Sequence, residues 1–322
     1  MIEDKDLVRE APETWCAGGG KVCGYFNFRK QFLSALSEYM NKYDLSKDDV
    51  IGISGIGCSG RFTVWQDLVT VHTTHGNAPN LAQGVALMRE INKKKGLVYV
   101  VSGDGDAIAI GRSNFENLCH SNADVTYLIL NNGIYAMTSG QTAPTTGQGL
   151  KTISAPYGNL EEPWDVVSLA IGSGATFVAR VSSYPKESKL LRGILYEAFE
   201  HKGTSVVEVI SACPTQNPLN KGKNLLQLEK EYMGGSLDIK FFDEYLFSGI
   251  SSNLRYAIAK DYAKSKLGKD VLLKGRMHKV EKKSYSQLLC EQKKNVKESY
   301  GEEKLSDRIK KLLNGKKVEL LQ

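Results

Sequence analysis

The sequence predicts an α/β fold, a mostly parallel sheet with helices on both faces, and three observations carry that expectation. With 322 residues the chain is long enough for one large domain or two moderate ones with a sizeable core. Apolar, β-branched runs alternate with helical patterns from about residue 28 to 213, the pattern of parallel strands joined by crossover helices. The residues with chemical potential fall just past the C-terminal ends of those runs, and ligands of open α/β sheets bind along that edge.

In chain order, the strand-like runs are Val50 to Ser54, Leu97 to Ser102, Val125 to Leu130, Phe177 to Val181 and Ser205 to Ser211. Helical stretches lie before and between them: Phe28 to Tyr43, Ala82 to Lys94, Asp106 to His120, Pro163 to Gly172 and Glu187 to Lys202. Phe32, Leu33, Leu36 and Tyr39 give the first of these its helical spacing. After Asn217-Pro218 the pattern changes to tyrosines and lysines with scattered apolar residues, so a boundary is expected near 219, with residues 1–218 as the main domain and 219–322 as a C-terminal extension. Within the extension, Asp270 to Leu273 reads as a short strand and Lys304 to Leu313 as a terminal helix.

Composition narrows the function classes. Hydrophobic residues make up 41% and charged residues 24%, ordinary for a water-soluble globular enzyme. The longest apolar candidate for a membrane span, Val166 to Val181, is broken by glycines, serines and Arg180. The acidic start Met1-Ile2-Glu3-Asp4 has no apolar stretch behind it to make a signal peptide, so a cytoplasmic location is expected. The net charge of +6 is uneven: residues 221–322 hold 23 Lys and Arg against 14 Asp and Glu. An acidic partner, nucleic acid, or a solvated lysine-rich helical face each accounts for that excess, and no aromatic-basic motif supports nucleic acid.

The second run ends in Ser102-Gly103-Asp104-Gly105-Asp106, and the third in Asn131-Asn132-Gly133-Ile134-Tyr135. Two strands that each finish in a small, oxygen-bearing turn point to one site for a magnesium-bound diphosphate. Glycines let the backbone approach phosphate oxygens, and an Asp carboxylate with an Asn carbonyl are the hard oxygen ligands that magnesium prefers.

Six cysteines stand at 16, 23, 58, 119, 213 and 290. In a cytosolic chain they are not a disulfide framework. Cys16, Cys23, Cys58 and Cys213 each adjoin glycine or proline, in turns where a sulfur projects freely. Four thiolates suit a [4Fe–4S] cluster and equally a structural zinc. Cys119 and Cys290 lie in helical stretches and read as ordinary, partly buried residues.

Taken together these motifs resemble the β subunit of the 2-oxoacid:ferredoxin oxidoreductases. The matching pieces are Trp15-Cys16, Cys23 to Phe26, Ser54 to Arg61, His75-Gly76, Gly103 to Asp106, Asn131 to Tyr135, Thr138 to Gln141, Val178 to Arg180 and Cys213 to Thr215. They run in order over about residues 14–216. The resemblance implies the diphosphate-binding half of a thiamine-diphosphate fold, with Asp104, Asn132 and the Ile134 carbonyl on Mg2+. It places Gly57, Ser59, His75, Gly103, Gly105, Asp106, Tyr135, Thr138 and Gln141 around thiamine diphosphate. The implied activity is coenzyme A-dependent oxidative decarboxylation of a 2-oxoacid, with electrons passed one at a time through a [4Fe-4S] cluster to ferredoxin. The glutamate that activates the cofactor, and most of the substrate pocket, would belong to an α subunit, so the chain is expected to be inactive alone.

One departure stands out. The family reads Trp-Cys-Pro-Gly-Cys-Gly, and here Gly19 stands where its second cysteine would be. Either that ligand is lost, or an insertion moves it to Cys23, whose continuation Gly24-Tyr25-Phe26 matches the family; the second alignment keeps four thiolates, on Cys16, Cys23, Cys58 and Cys213. Arg61 suits a substrate carboxylate bidentately or a surface salt bridge, and His75 suits the cofactor or a structural role. Gly57-Cys58-Ser59-Gly60-Arg61 resembles members acting on 2-oxoglutarate more than those restricted to pyruvate. The rival readings are a non-redox thiamine-diphosphate decarboxylase-type subunit and a non-catalytic zinc-binding protein.

Overall fold

In the computed structural model, residues 1–9, 22–234, 236–238, 256–257, 260 and 272–300 are described. The strands form where β-branched and aromatic residues cluster. They are β1 (Val50–Ser54), β2 (Val69–His72), β3 (Leu97–Gly103), β4 (Thr126–Asn131), a short hairpin of β5 (Ile134–Tyr135) and β6 (Gln141–Thr142), β7 (Phe177–Ser182), β8 (Ser205–Ile210), β9 (Ser236–Asp238) and β10 (Leu272–Lys279). Apart from the hairpin they build one eight-stranded sheet in the order β2-β1-β3-β4-β8-β7-β10-β9. Every pairing from β2 through to β7 is parallel, and β10 runs antiparallel to β7.

Side-chain alternation along each strand divides the core into two layers. Leu97, Tyr99 and Val101 of β3, with Leu128 and Leu130 of β4, face one layer, which is closed by α1 (Gly24–Lys42) and α6 (Ser188–Glu200). Phe28, Phe32, Phe62 and Phe199 fill it as a chain of touching rings. Val98, Val100, Tyr127 and Ile129 face the other, under α3 (Ala78–Ile91), α4 (Arg112–Ser121) and α5 (Val166–Gly172). The remaining helices are α2 (Arg61–Val64), α7 (Leu225–Gly234) and α8 (Tyr285–Tyr300).

All five expected strands are present to within a residue at either end. Four differences have local causes. The first helix begins at Gly24, four residues before its apolar face, with Cys23 at the capping position. The helix expected from Ala82 begins at Ala78, with proline in its first turn, where a missing N–H costs nothing. The stretch from Asp106 is a π-helical turn, Gly105–Ile110, and α4 begins only after Gly111. The helix expected from Pro163 starts at Val166, where the Asp165 carboxylate accepts from the Ser168 N–H at 3.1 Å. The edge strand β2 escapes a search for apolar runs because three of its four residues are exposed.

Beyond residue 218 the chain adds β9 and β10 to the sheet, and Leu273 and Tyr256 join the core layer under α3 to α5. The strand expected at Asp270 to Leu273 begins among the described residues at Leu272 and continues to Lys279. The helix expected at Lys304 to Leu313 lies outside the described residues.

Candidate active site at the C-terminal edge of the sheet

Strands β1, β3, β4 and β8 are consecutive neighbours and parallel, so the turns that follow them open on one edge. Cys58 follows β1, Asp104 follows β3, Asn132 follows β4 and Cys213 follows β8. The fifth component comes from α1, whose first turn is drawn against the β8 turn. The Gly24 N–H donates to the Ala212 carbonyl at 3.2 Å. A Cβ on Gly24 would stand 2.4 Å from Ser183 Oγ and 2.9 Å from the Ala212 nitrogen, so only glycine permits the approach. This sets Cys23 beside the Cys213 turn. Cys16 lies outside the described residues.

Tyr25, one turn into α1, connects the two halves of the edge. Its hydroxyl donates to the Leu130 carbonyl and accepts from Asn132 Nδ2, both at 3.2 Å. Burial, and then the negative potential of Cys58, Asp104, Cys23 and Cys213, hold its phenol well above the ordinary range and therefore neutral. One ring thus feels the expected metal ligand and three of the four expected cluster thiols. Among the described residues, no three His, Cys, Asp or Glu side chains stand close enough to hold a single metal ion.

Asp104 is 2% exposed, and burial pushes its carboxyl up to about 6. The Thr145 hydroxyl, at 2.5 Å from Oδ2, and the backbone N–H groups of Asn132 and Gly105 oppose that rise. Next to it the β4 turn is fastened at every residue. Asn131 Oδ1 accepts from the Gly133 N–H at 2.9 Å, Asn132 Oδ1 accepts from the Ile134 N–H at 3.1 Å, and Asn217 Nδ2 donates to the Asn132 carbonyl at 2.8 Å. A carboxylate, an amide oxygen and a backbone carbonyl are the ligand types that a hard divalent cation selects. A cation would supply the positive charge that the buried Asp104 lacks, so these residues fit magnesium.

The diphosphate residues fit as well. Gly57, at φ 118°, takes a conformation open to glycine and leads into the Cys58–Gly60 turn. Ser59 Oγ is buried without a hydrogen-bond partner, 3.4 Å from where a Cβ on Gly103 would stand. An orphaned hydroxyl against the backbone of the Gly-Asp-Gly turn is what an absent phosphate oxygen leaves behind. Gly105 serves another purpose: a Cβ there would lie 2.1 Å from the Tyr135 ring. Asp106, in the π-turn, accepts from the Gly76 N–H at 2.8 Å and the Ile56 N–H at 3.3 Å. His75 Nδ1 stands 2.5 Å from the same Asp106 oxygen, without hydrogen-bond alignment, and the other Asp106 oxygen has no partner. Thr138 and Gln141 bond each other at the mouth of the β5–β6 hairpin, 2.6 Å between Oγ1 and Oε1. Arg61 is exposed at the start of α2, on the loop that carries Cys58.

Cys119 is fully buried in α4, where burial pushes its thiol up, and Cys290 is exposed on α8. Neither belongs to the site. Sequence reasoning passed over Thr145, and it quoted Tyr25 and Asn131 within motifs and Asn217 at the domain boundary without giving them a role. It also passed over a buried charge cluster behind the β4 turn, where Arg180 Nε donates to Glu208 Oε2 at 2.6 Å and Nη2 to Asp165 Oδ1 at 2.9 Å. Burial would raise Asp165, but Arg180, Tyr256, the Ser168 N–H and Lys260 overcome it and hold the carboxyl at about 2. Its signal was readable: single charges of opposite sign inside two apolar runs, Phe177 to Val181 and Ser205 to Ser211.

The comparisons agree with this geometry. Residues 55–209 match the family model described as thiamine pyrophosphate enzyme, C-terminal TPP binding domain, which defines the class as a thiamine-diphosphate-binding fold. The chain is 41% identical to the 2-oxoglutarate synthase subunit KorB of Archaeoglobus fulgidus over 222 residues, 69% of this chain and 77% of that protein. It is 38% identical to the corresponding subunit of Methanocaldococcus jannaschii, over 63% of this chain and 70% of that one. Among solved structures, the 2-oxoglutarate:ferredoxin oxidoreductase from Magnetococcus marinus, with 2-oxoglutarate, coenzyme A and succinyl-CoA bound, superposes with a TM-score of 0.77. It shares 26% identity, with 98% of this chain and 97% of that chain covered. The chain belongs to the 2-oxoacid:ferredoxin oxidoreductase β-subunit family and is an oxidoreductase subunit.

Proposed function

We propose that the chain is the diphosphate-binding β subunit of an enzyme that oxidatively decarboxylates a 2-oxoacid, with 2-oxoglutarate favoured over pyruvate. The observation that carries this reading is the meeting of Asp104, Asn132 and three thiols around the Tyr25 ring. In the balanced reaction the 2-oxoacid loses CO2, its carbonyl carbon gives up two electrons to two ferredoxins, and the acyl group passes to the sulfur of coenzyme A, whose thiol proton is released. Thiamine diphosphate, when bound, supplies the nucleophile and electron sink for that cleavage, and a [4Fe-4S] cluster accepts electrons one at a time.

The chain's own residues have definite tasks. Asp104, Asn132 and the Ile134 carbonyl hold Mg2+. Gly57, Ser59 and Gly103 cradle the diphosphate, Gly105 makes room for Tyr135, Asp106 fastens the Ile56 and Gly76 backbone beside it, and Tyr135, Thr138, Gln141 and His75 line the cofactor. Cys16, Cys23, Cys58 and Cys213 hold the cluster. Arg61 binds the distal carboxylate of a dicarboxylic substrate through its planar fork. Tyr25, kept neutral, donates to Leu130 and accepts from Asn132, which orients the Asn132 amide oxygen toward the metal position. An α subunit supplies the activating glutamate. The basic extension 219–322 contacts that subunit and attracts acidic ferredoxin. Among the described residues, no helix is long and apolar enough to cross a membrane; the proposed location is the cytoplasm.

The test is anaerobic co-production with the α subunit, followed by coenzyme A- and 2-oxoglutarate-dependent ferredoxin reduction and by iron and sulfide analysis. About four iron and four sulfide per chain, lost in Cys23→Ala together with ferredoxin reduction, is the expected result. CO2 release without iron would give the non-redox decarboxylase instead, and no turnover of any 2-oxoacid would reject the reading.

A further inference from the structure

A continuous line of buried and half-buried polar side chains runs from Asp104 to the C-terminal extension, and it deepens the proposed function, on which it rests. Thr145 Oγ1 lies 2.5 Å from Asp104 Oδ2 and 3.0 Å from Asn131 Oδ1. Asn131 Nδ2 donates to Glu208 Oε1 at 2.7 Å, and Glu208 Oε2 accepts from Arg180 Nε at 2.6 Å. Arg180 Nη1 donates to the Tyr256 hydroxyl at 2.9 Å, and that hydroxyl donates to Asp165 Oδ2 at 2.7 Å. Arg180 and Glu208 are register partners on β7 and β8, which places them side by side on one face.

Three properties separate this line from an ordinary buried ion pair. Arg180 and Glu208 are 3% and 2% exposed, so Glu208 depends on Arg180 and Asn131, and Arg180 on the Glu208 and Asp165 carboxylates and the Tyr256 hydroxyl. Both oxygens of Glu208 are engaged, one by Arg180 and one by Asn131, so a shift of Arg180 is transmitted to Asn131. Asn131 in turn fixes the Gly133 N–H, and its Oδ1 shares the single Thr145 hydroxyl proton with the Asp104 carboxylate. The line therefore ends on both turns that would carry the magnesium, and it begins on a residue contributed by the extension.

We propose that Thr145, Asn131, Glu208 and Arg180 are positioning residues for the magnesium-diphosphate site, and that Tyr256 holds Arg180 in place behind them. Groups that orient metal ligands from behind typically account for roughly 10- to 100-fold in metal affinity.

The test uses the full chain assembled with its α subunit, with thiamine diphosphate titrated calorimetrically in Mg2+ and Mn2+ binding followed by its paramagnetic resonance. Thr145→Val is expected to weaken the metal-dependent binding about tenfold, and Thr145→Ser, which keeps the hydroxyl, to restore it. Tyr256→Phe should weaken it to a smaller extent and alter the Mn2+ spectrum, although the residue is remote from the metal. In the double variant Thr145→Val/Tyr256→Phe the two losses should fail to multiply, because both act through one line. Losses that multiply independently, or variants that bind like wild type, would overturn the inference while leaving the proposed function standing. If wild type itself bound neither metal nor cofactor, the proposed function would fall and this inference with it.

Discussion

Gly105 gives the sharpest local test of the site's construction. Carbon atoms in good contact stand about 3.5–4.0 Å apart. A Cβ on Gly105 would stand 2.1 Å from Tyr135 Cε1, 2.6 Å from Cζ and 2.7 Å from Cδ1. In Gly105→Ala the ring must therefore retreat by about 1.5 Å or more. It is half-buried and loses its approach to the Gly105 carbonyl at 3.5 Å. Overpacking of this kind costs about 1–3 kcal/mol, and the better helical propensity of alanine returns up to about 1 kcal/mol. A net loss of about 1–2 kcal/mol follows, together with a displaced Tyr135 at the cofactor edge. Urea denaturation of Gly105→Ala, Tyr135→Ala and the double variant measures it. The double variant should be no less stable than Tyr135→Ala, since removal of the ring removes the clash. If Gly105→Ala were as stable as wild type, or if its loss persisted in the Tyr135→Ala background, the ring would not be what requires glycine at this position.

Three further outcomes follow from the buried charges. Arg180→Met leaves Glu208 without its cation in the interior and should cost about 3–5 kcal/mol; adding Glu208→Gln should recover part of that, as seen by urea denaturation of the three variants. For Asp104 the folded carboxyl titrates near 6 against an ordinary value of 3.8, so the folded chain binds the extra proton between those values. Stability of the metal-free chain should then be greatest below about 4 with respect to this group and fall by up to about 3 kcal/mol as pH rises through 6. Magnesium binding should run the opposite way, weakening as pH drops below about 6, because proton and metal compete for one carboxylate. Denaturation and Mg2+ titrations from pH 4.5 to 7.5 measure both, and a pH-independent Mg2+ affinity would refute the assignment.

Much of the fold was legible because its strands are buried on both faces and read as uninterrupted apolar runs, as Val98 to Val101 and Tyr127 to Leu130 do. The turns after them were legible for the same reason: a parallel sheet sends every strand end to one edge, so Cys58, Asp104, Asn132 and Cys213 could be placed together before any coordinates. What escaped depends on approaches that no local pattern encodes. Thr145 reaches Asp104 across 41 positions of the chain and Tyr25 reaches Asn132 across 107. The edge strand β2 is mostly exposed and lacks an apolar run, and the π-helical turn at Asp106 has the composition of an ordinary helix. The proposed cysteine shift is intermediate: Gly24-Tyr25-Phe26 pointed to Cys23, and the close approach of Gly24 to Ala212 sets that residue beside the Cys213 turn.

We propose that the turns after β3 and β4 together hold a magnesium-bound diphosphate. Calorimetric titration of thiamine diphosphate with Mg2+ into the assembled αβ enzyme, for wild type and Asp104→Ala, tests it most directly. The account predicts one site per chain in wild type, and binding in Asp104→Ala weakened at least about a hundredfold, since a metal ligand itself is removed. Equal affinity in the two proteins would contradict it.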